Sequence, residues 1–228
     1  MNEIISGCIT AIHLILARDP AVMEITLLTL QVTLTAVLIA TCISIPLGSF
    51  IAFRDFPGKK YLIGVIQTLY AIPTVIIGLL CFLLLSKAGP FGFLGWLFTP
   101  NGMILGQTLL VLPIMTGLTV SALQAIPQPI TDTIAVLGAT RRQFLLSHLR
   151  EARFAIMAAV IVGFSRAISE VGAAIMIGGN IRGHTRTLTT AISLNTSMGD
   201  IDMSLALGFI LLGIALIMNI AMGMVQQR

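Results

Sequence analysis

The stretch ITLLTLQVTLTAVLIATCISIPLGSFIAF, residues 25–53, is 29 residues long and contains no charged side chain. A helix needs about 20 predominantly apolar residues to cross a bilayer, so this stretch is long enough to span one. Its apolar residues are continuous rather than alternating, which excludes a strand of a transmembrane β-barrel. The sequence therefore predicts a membrane-spanning helix here.

Four further apolar runs follow, at about residues 61–85, 103–125, 154–177 and 203–225. The run at 61–85 is interrupted by Pro73. Polar or Gly- and Pro-containing segments separate the runs. We expect an all-α integral membrane protein with five transmembrane helices, organised as a single transmembrane domain over residues 1–228.

The composition supports a membrane protein and excludes other classes. Of the 228 residues, 57% are hydrophobic and 10% are charged, whereas about 25% are charged in ordinary soluble domains. A soluble domain of this length could not bury so much apolar surface. Three cysteines are too few for a secreted disulfide scaffold. No dense basic patch with neighbouring aromatics exists, so we expect no nucleic-acid partner.

Residues 1–20 show a different pattern from the spans. Apolar residues recur at helical spacing, at Ile4, Ile5, Cys8, Ile9, Ile12 and Leu16. This predicts a short amphipathic helix that lies on the outer face of the membrane. The alternative is an incomplete sixth span, which the polar Arg18-Asp19-Pro20 would interrupt.

The distribution of basic residues predicts the orientation. The segments on one side of the membrane contain eight Lys and Arg residues, and the segments on the other side contain four. The first group is Arg54, Lys59, Lys60, Arg141, Arg142, Arg150, Arg153 and Arg228; the second is Arg18, Lys87, Arg182 and Arg186. By the positive-inside rule, the N-terminus is outside and the C-terminus is cytoplasmic.

The segment at 126–153, between the third and fourth spans, is too polar to cross a membrane. Thr131, with Asp132 beside it, could cap one short helix. Gly138 would end that helix and Thr140 would cap a second one. Two short helices joined at a glycine are compatible with a docking element for a partner, and equally with a surface loop.

The run from Asp132 to Arg142 resembles the cytoplasmic "EAA" loop of ABC importer permeases. Gly138 matches the glycine of that pattern and Asp132 its acidic start. Thr133 and Ile134 replace the two alanines, and Arg150-Glu151 stand where Leu-Pro is usual. The resemblance implies a coupling loop that binds an ATPase subunit, through Asp132, Leu137, Gly138, Ala139, Thr140, Arg141 and Arg142.

A second unusual feature is a pair of charges inside the fourth apolar run. Arg166 and Glu170 are four residues apart, so they would face each other on one helix. Charges at that depth are costly and do not face lipid. Either they form a structural ion pair, or they border a translocation path together with Ser165 and Ser169.

The outer loop at 178–202 is rich in hydroxyl and amide groups and contains Asn180, Arg182 and Arg186. We expect it to form an outer gate or a docking surface for a receptor. The alternative is a solvated loop with a short helix at Thr187–Leu194.

The stretch from Arg166 to Ile192 extends the resemblance. It resembles the tungstate-type members of the oxyanion permeases at Arg166-Ala-Ile-Ser-Glu170-Val-Gly172, Gly178-Gly-Asn180, Arg186 and Thr189-Thr-Ala-Ile192. The Arg-x-x-x-Glu-x-Gly part is shared with molybdate and sulfate permeases. The resemblance implies a type I ABC importer permease in a prokaryotic cell membrane.

The same resemblance implies the partners. They are a second copy of the chain, two copies of an ATPase subunit that hold ATP and Mg²⁺, and an extracytoplasmic oxyanion-binding protein. The chain contains no phosphate-binding loop of its own, no catalytic constellation and no paired His or Cys that would bind a metal.

Three alternatives stay open at this point. The substrate could be molybdate or sulfate. The chain could be an ion-coupled secondary transporter, for which the Arg166–Glu170 pair would relay protons. It could also be a membrane assembly factor, although that would leave the form of the coupling loop unexplained.

Overall fold

A computed structural model describes residues 2–226, with side chains from 4 to 224, and these residues form eleven α-helices and no strand. The helices are α1 (Asn2–Leu16), α2 (Pro20–Phe53), α3 (Lys59–Thr68), α4 (Thr74–Leu85), α5 (Pro100–Gln124), α6 (Gln128–Val136), α7 (Arg141–Glu151), α8 (Arg153–Ile168), α9 (Gly172–Gly178), α10 (Leu188–Ser197) and α11 (Ile201–Gln226). The predicted all-α class is confirmed. Arg228, which contributes to the predicted orientation, lies outside the described residues.

Three of these helices, α2, α5 and α11, are each long and apolar enough to cross a membrane. Two bent pairs reach that length together: α3 with the short turn at 69–71 and α4, bent by 97°, and α8 with α9, bent by 60°. Counting each pair as one crossing gives five spans in the described residues.

The two bends have different causes. Pro73 lies at the first bend, and its ring and missing N–H prevent helix continuation. At the second bend, α8 ends at Ile168 and α9 begins at Gly172. The apolar run predicted at 154–177 is therefore a bent pair of helices, and the Glu170 side chain accepts from the Ala173 N–H of the second helix.

Contacts between helices α2, α5 and α8 show the directions in which these helices run relative to one another. The Thr108 hydroxyl lies 3.4 Å from the Ala36 carbonyl, and Gly48 lies against Thr119, so α2 and α5 run in the same direction. The intervening α3–α4 pair therefore brings the chain back to the side on which α2 began. Helix α8 runs opposite to α5, because Gly163 contacts Met115 and Ile156 packs with Leu123.

The core is centred on α5. Two thirds (67%) of its most apolar segment is buried, whereas only 17% of the corresponding segment of α11 is buried. Many large apolar side chains on α2, α4 and α11 are exposed. Such surfaces are incompatible with water and are typical of helices that face lipid or another membrane subunit.

The N-terminal helix α1 packs on the first half of α11. A Cβ added at Gly7 would lie 2.5 Å from the Leu205 Cβ, so the two helices touch closely there. The Ser6 hydroxyl donates to Asp202 at 3.1 Å, and Ala11 is buried in the same cluster. The predicted helix forms, but it packs on α11 through Gly7 and Ala11, while its predicted apolar residues such as Ile9 and Ile12 are exposed. Its position on the membrane face stays a prediction.

Candidate functional site

The segment between the third and fourth predicted spans forms a helical hairpin of α6 and α7, which we call the knob. Helix α6 begins at Gln128, directly after Pro127, and Pro129 lies in its first turn, where the fixed φ of proline favours helix initiation. Thr131 therefore lies inside the helix, and the prediction that it forms the cap is wrong. Its hydroxyl lies 3.1 Å from His148 Nε2 instead.

The turn between the two helices agrees with the sequence. Gly138 has φ +71°, a left-handed conformation that glycine adopts without penalty. Thr140 then caps α7, with a reciprocal capping box formed with Gln143. The glycine break and the second cap are both where the sequence places them.

The tip of the knob presents apolar side chains to solvent. Val136 is 87% exposed and Leu137 is 79% exposed, and nothing lies within 4 Å of a Cβ built at Gly138. Asp132 is exposed on the same hairpin and accepts from the Gln128 amide at 2.9 Å. An exposed apolar tip beside polar groups is typical of a docking surface.

The predicted coupling residues fall into two groups in the structure. Asp132, Leu137 and Gly138 are exposed at the hairpin, with the half-buried Ala139 and the exposed Thr140 following in the turn. Arg141 and Arg142 instead line a cavity between α7 and α2. The structure therefore separates the tip from the two arginines.

His148 holds the knob against the end of α2, and sequence reasoning missed this role. Its side chain is 1% exposed, and its ring lies 4.9 Å from Phe53 and 4.1 Å from Phe144. Its Nδ1 lies 2.8 Å from the Phe144 carbonyl, and its Nε2 contacts Thr131 of α6. One side chain thus joins α2, α6 and α7. The available signal was its spacing of four residues from Phe144, which puts both rings on one helix face.

Replacing His148 with leucine is expected to loosen the knob. Leucine keeps the apolar contact but removes both ring hydrogen bonds, which leaves Thr131 without its partner and costs about 1–3 kcal/mol. We expect faster amide hydrogen exchange across 128–151 than in the wild type, whereas Ser147→Ala, a change at the exposed neighbouring residue, should leave exchange unchanged. Unchanged exchange in His148→Leu would show that this residue does not fix the hairpin.

The Arg166–Glu170 pair forms a buried polar cluster at the bend between α8 and α9. Arg166 Nη1 donates to Glu170 Oε2 at 3.1 Å, and the Ala173 N–H donates to Oε1 at 2.8 Å. The Thr189 hydroxyl donates to the Glu170 carbonyl at 2.7 Å. Glu170 is 2% exposed, while a third of the Arg166 side chain (33%) is accessible. Glu170 therefore caps α9 as well as pairing with Arg166.

The two bent spans meet at this cluster. Helix α4 packs along α9, and a Cβ added at Gly78 would lie 2.9 Å from the Ala173 Cα. A Cβ at Gly172 would lie 3.0 Å from the Thr74 hydroxyl and 3.6 Å from Glu170 Oε1. The first residues of α4 and α9 and the carboxylate of Glu170 thus lie close together, where both helices begin.

Ser165 and Ser169 do not belong to the same cluster. Both line a groove between α8 and α11. The Ser165 hydroxyl donates to Asn219 of α11 at 3.2 Å, and Ser169 donates to the Arg166 carbonyl. The sequence suggested one path for all four residues, but the two serines face the groove with α11, whereas Arg166 and Glu170 pair at the bend.

In the loop between α9 and α10, the side chains of Asn180 and Arg186 are joined. Arg186 donates to the Asn180 side chain at 3.2 Å and to its carbonyl at 3.3 Å. Asn180 also donates to the Thr190 carbonyl on α10. Arg182 is exposed, and its side chain has no hydrogen bond or ion pair within the described part of the chain. Arg186 thus stabilises the loop, and Arg182 is available for an external contact.

No group of three or more His, Cys, Asp or Glu is positioned to hold a metal ion within residues 4–224. The described geometry is that of a multi-pass helical protein with an exposed helical hairpin and a buried polar bend.

Comparison with known proteins agrees with this arrangement. Residues 44–228 match the family described as "Binding-protein-dependent transport system inner membrane component". The "Tungstate uptake system permease protein TupB" of Peptoclostridium acidaminophilum is 40% identical over 228 residues, all of both chains. A "Probable anion ABC transporter permease protein" of Haloferax volcanii is 41% identical, over 86% of this chain and 87% of its own.

A more distant relative is the "Molybdenum transport system permease protein ModB" of Escherichia coli K12. It is 32% identical over 73% of this chain and 76% of its own length. The family match, residues 44–228, includes the knob and the polar bend. The family match covers most of the chain, and one relative is 40% identical over its whole length. This chain therefore belongs to the inner membrane components of binding-protein-dependent transport systems.

Proposed function

We propose that this chain is the transmembrane subunit of an ATP-driven importer for a tetrahedral oxyanion, with tungstate as the substrate. The observation that carries the proposal is the 40% identity, over the whole of both chains, to a relative named as a tungstate uptake permease. The exposed knob and the polar bend supply the two parts that such a subunit needs, a contact for an energy source and a polar region within the spans.

The energy source is a separate ATPase subunit that holds ATP and Mg²⁺. Its contact with this chain is the apolar tip, where Val136 and Leu137 are exposed. Because His148 ties the knob to the end of α2, movement of the tip is transmitted to a membrane-spanning helix. Two ATPase copies would act on two copies of this chain, since five passes are few for a complete pathway.

The orientation follows from the basic residues, which concentrate at the end of the molecule that bears the knob. The knob faces the cytoplasm, and α10 with the loop before it faces the outside. There the exposed Arg182 contacts the extracytoplasmic binding protein that delivers the anion. Substrate selectivity then depends mainly on that receptor.

The translocation path passes the polar bend. Helix α4 begins there without a side-chain cap, and helix N-termini favour negative charge, whereas the N-terminus of α9 is already capped by Glu170. The accessible part of the Arg166 side chain adds a positive charge beside them. Because Glu170 neutralises much of that charge, the site attracts a dianion without retaining it, as transport requires.

Two other functions have weaker support. Molybdate or sulfate would fit the same polar bend, because these anions share charge and tetrahedral shape with tungstate. A self-sufficient ion-coupled carrier is favoured only by the buried ion pair, and it leaves the exposed apolar tip of the knob without a role.

Competition in a reconstituted system tests the substrate. The chain, its ATPase and its receptor are placed in proteoliposomes with internal ATP, and uptake of labelled tungstate is measured against molybdate or sulfate. We expect unlabelled tungstate to compete best. Stronger competition by molybdate or sulfate would assign the importer to that anion instead.

A further inference from the structure

A cavity of about 740 Å³ lies between the last turns of α2 and the first turn of α7. Its wall on α2 is formed by Pro46, Ser49, Phe50 and Phe53, and Phe144 and Leu145 contribute from α7. This wall is apolar along most of its length. The proposed transport cycle does not use the cavity.

Three arginines line the same cavity: Arg54, Arg141 and Arg142. Arg54 lies over the Phe50 ring, with 5.0 Å between the guanidinium carbon and the ring centre. In the described part of the chain the salt bridges are Lys59–Asp55 and Arg166–Glu170, so none of the three arginines has a carboxylate partner there. One end of the cavity therefore carries uncompensated positive charge.

The position of the cavity along α2 matches a membrane interface. Arg54 directly follows the apolar run that ends at Phe53. Pro46 is eight residues earlier in the same helix, about 12 Å deeper at 1.5 Å per residue. The charged end thus lies at the expected bilayer surface, and the apolar wall extends into the hydrocarbon region.

The three arginines beside an apolar wall fit an amphiphilic ligand better than an inorganic anion. A free phosphate or oxyanion would contact the arginines and leave the apolar wall bare. A lipid with an anionic headgroup would satisfy both, because basic pockets at the cytoplasmic surface bind such headgroups while the acyl chain follows the helix.

We infer that this cavity binds an anionic phospholipid, with the phosphate at Arg54, Arg141 and Arg142 and an acyl chain along Pro46 and Phe50. The bound lipid fills the space between α2 and the first turn of α7. It therefore stabilises the position of the knob relative to the spans, independently of which anion the importer carries.

Native mass spectrometry of the full chain in detergent tests the inference. The protein is titrated with phosphatidylglycerol and, separately, with phosphatidylcholine of the same acyl chains. We expect selective retention of phosphatidylglycerol. Arg54→Gln should weaken it about fivefold, and the triple Arg54→Gln, Arg141→Gln, Arg142→Gln variant about a hundredfold, given the usual contribution of each basic residue near anionic lipid.

The matched control is Arg153→Gln. Its guanidinium lies over the Phe154 ring at 4.5 Å, a contact like that of Arg54 with Phe50, yet Arg153 does not line the cavity. This variant should retain phosphatidylglycerol as the wild type does. Equal retention of both lipids, undiminished retention in the triple variant, or an equal loss in Arg153→Gln would overturn the inference.

Two competition experiments with the lipid-bound protein test for other occupants of the cavity. Displacement of phosphatidylglycerol by millimolar inorganic phosphate or tungstate would show a free-anion site, and displacement by the ATPase subunit would show that this surface belongs to that partner. Either result overturns the lipid assignment. Thermal unfolding without added lipid checks that each variant is folded, and if the triple variant is not, the comparison of Arg54→Gln with Arg153→Gln decides.

Discussion

Leu137→Asp is expected to abolish ATP-driven uptake while leaving the permease folded. Leu137 is 79% exposed at the tip of the knob, so an aspartate there removes little packing within the chain. In the assembled importer, the same side chain would place an unpaired charge in an apolar contact with the ATPase. Such a charge costs about 3–5 kcal/mol, which weakens binding by at least about a hundredfold.

The measurement is co-purification of the ATPase subunit together with ATP-driven uptake, with thermal unfolding as the check on folding. Leu137→Met is the conservative control, because it keeps an apolar side chain of similar size. It should retain both ATPase binding and ATP-driven uptake. Normal uptake and normal ATPase binding by Leu137→Asp would exclude the tip as the coupling contact.

Gly138→Asp should behave in the same way for a related reason. A side chain there meets no atom within 4 Å, and aspartate tolerates the left-handed backbone of this residue better than most others do. The variant is therefore expected to fold and to lose ATP-coupled transport. Retained transport would separate the glycine from the coupling surface.

The second large effect is expected at Glu170. Glu170→Ala removes the cap of α9 and leaves the Arg166 charge uncompensated within the spans. We expect a loss of about 3–5 kcal/mol of stability, seen as a large drop in the thermal unfolding temperature. Glu170→Gln should lose less, since its amide oxygen can still accept from the Ala173 N–H. Wild-type stability in Glu170→Ala would contradict the structural role.

A double variant separates the structural role from a role in the path. Arg166→Met with Glu170→Gln removes both charges while keeping an acceptor for the cap, so we expect stability to recover much of the loss. If this folded variant transports normally, the pair is purely structural. If it is stable but transports poorly, Arg166 contributes to the path, as proposed.

Local sequence signals were sufficient for much of the fold. Continuous apolar runs predict helices of the observed class, and Gly138 followed by Thr140 marks the turn of the knob because a left-handed glycine and a capping hydroxyl act within a few residues. The exposed tip follows from the same hairpin.

Features that depend on distant contacts were not predictable in this way. Glu170 caps α9 only because α8 ends at Ile168, and the spacing of Arg166 and Glu170 alone is equally compatible with a continuous helix. His148 is buried only because Phe53, some 95 residues earlier in the chain, packs against it. The close contact of Gly7 with Leu205 similarly joins the two ends of the chain.

A comparison of the energy sources for uptake tests the ATP-driven mechanism. Proteoliposomes that contain this chain, its ATPase and its receptor are loaded with or without ATP, and tungstate uptake is followed with the proton gradient intact or dissipated. We expect uptake that requires ATP and persists without the gradient. Uptake that proceeds without ATP and ceases when the gradient is dissipated would contradict the ATP-driven mechanism, and would make the Arg166–Glu170 pair the centre of an ion-coupled mechanism.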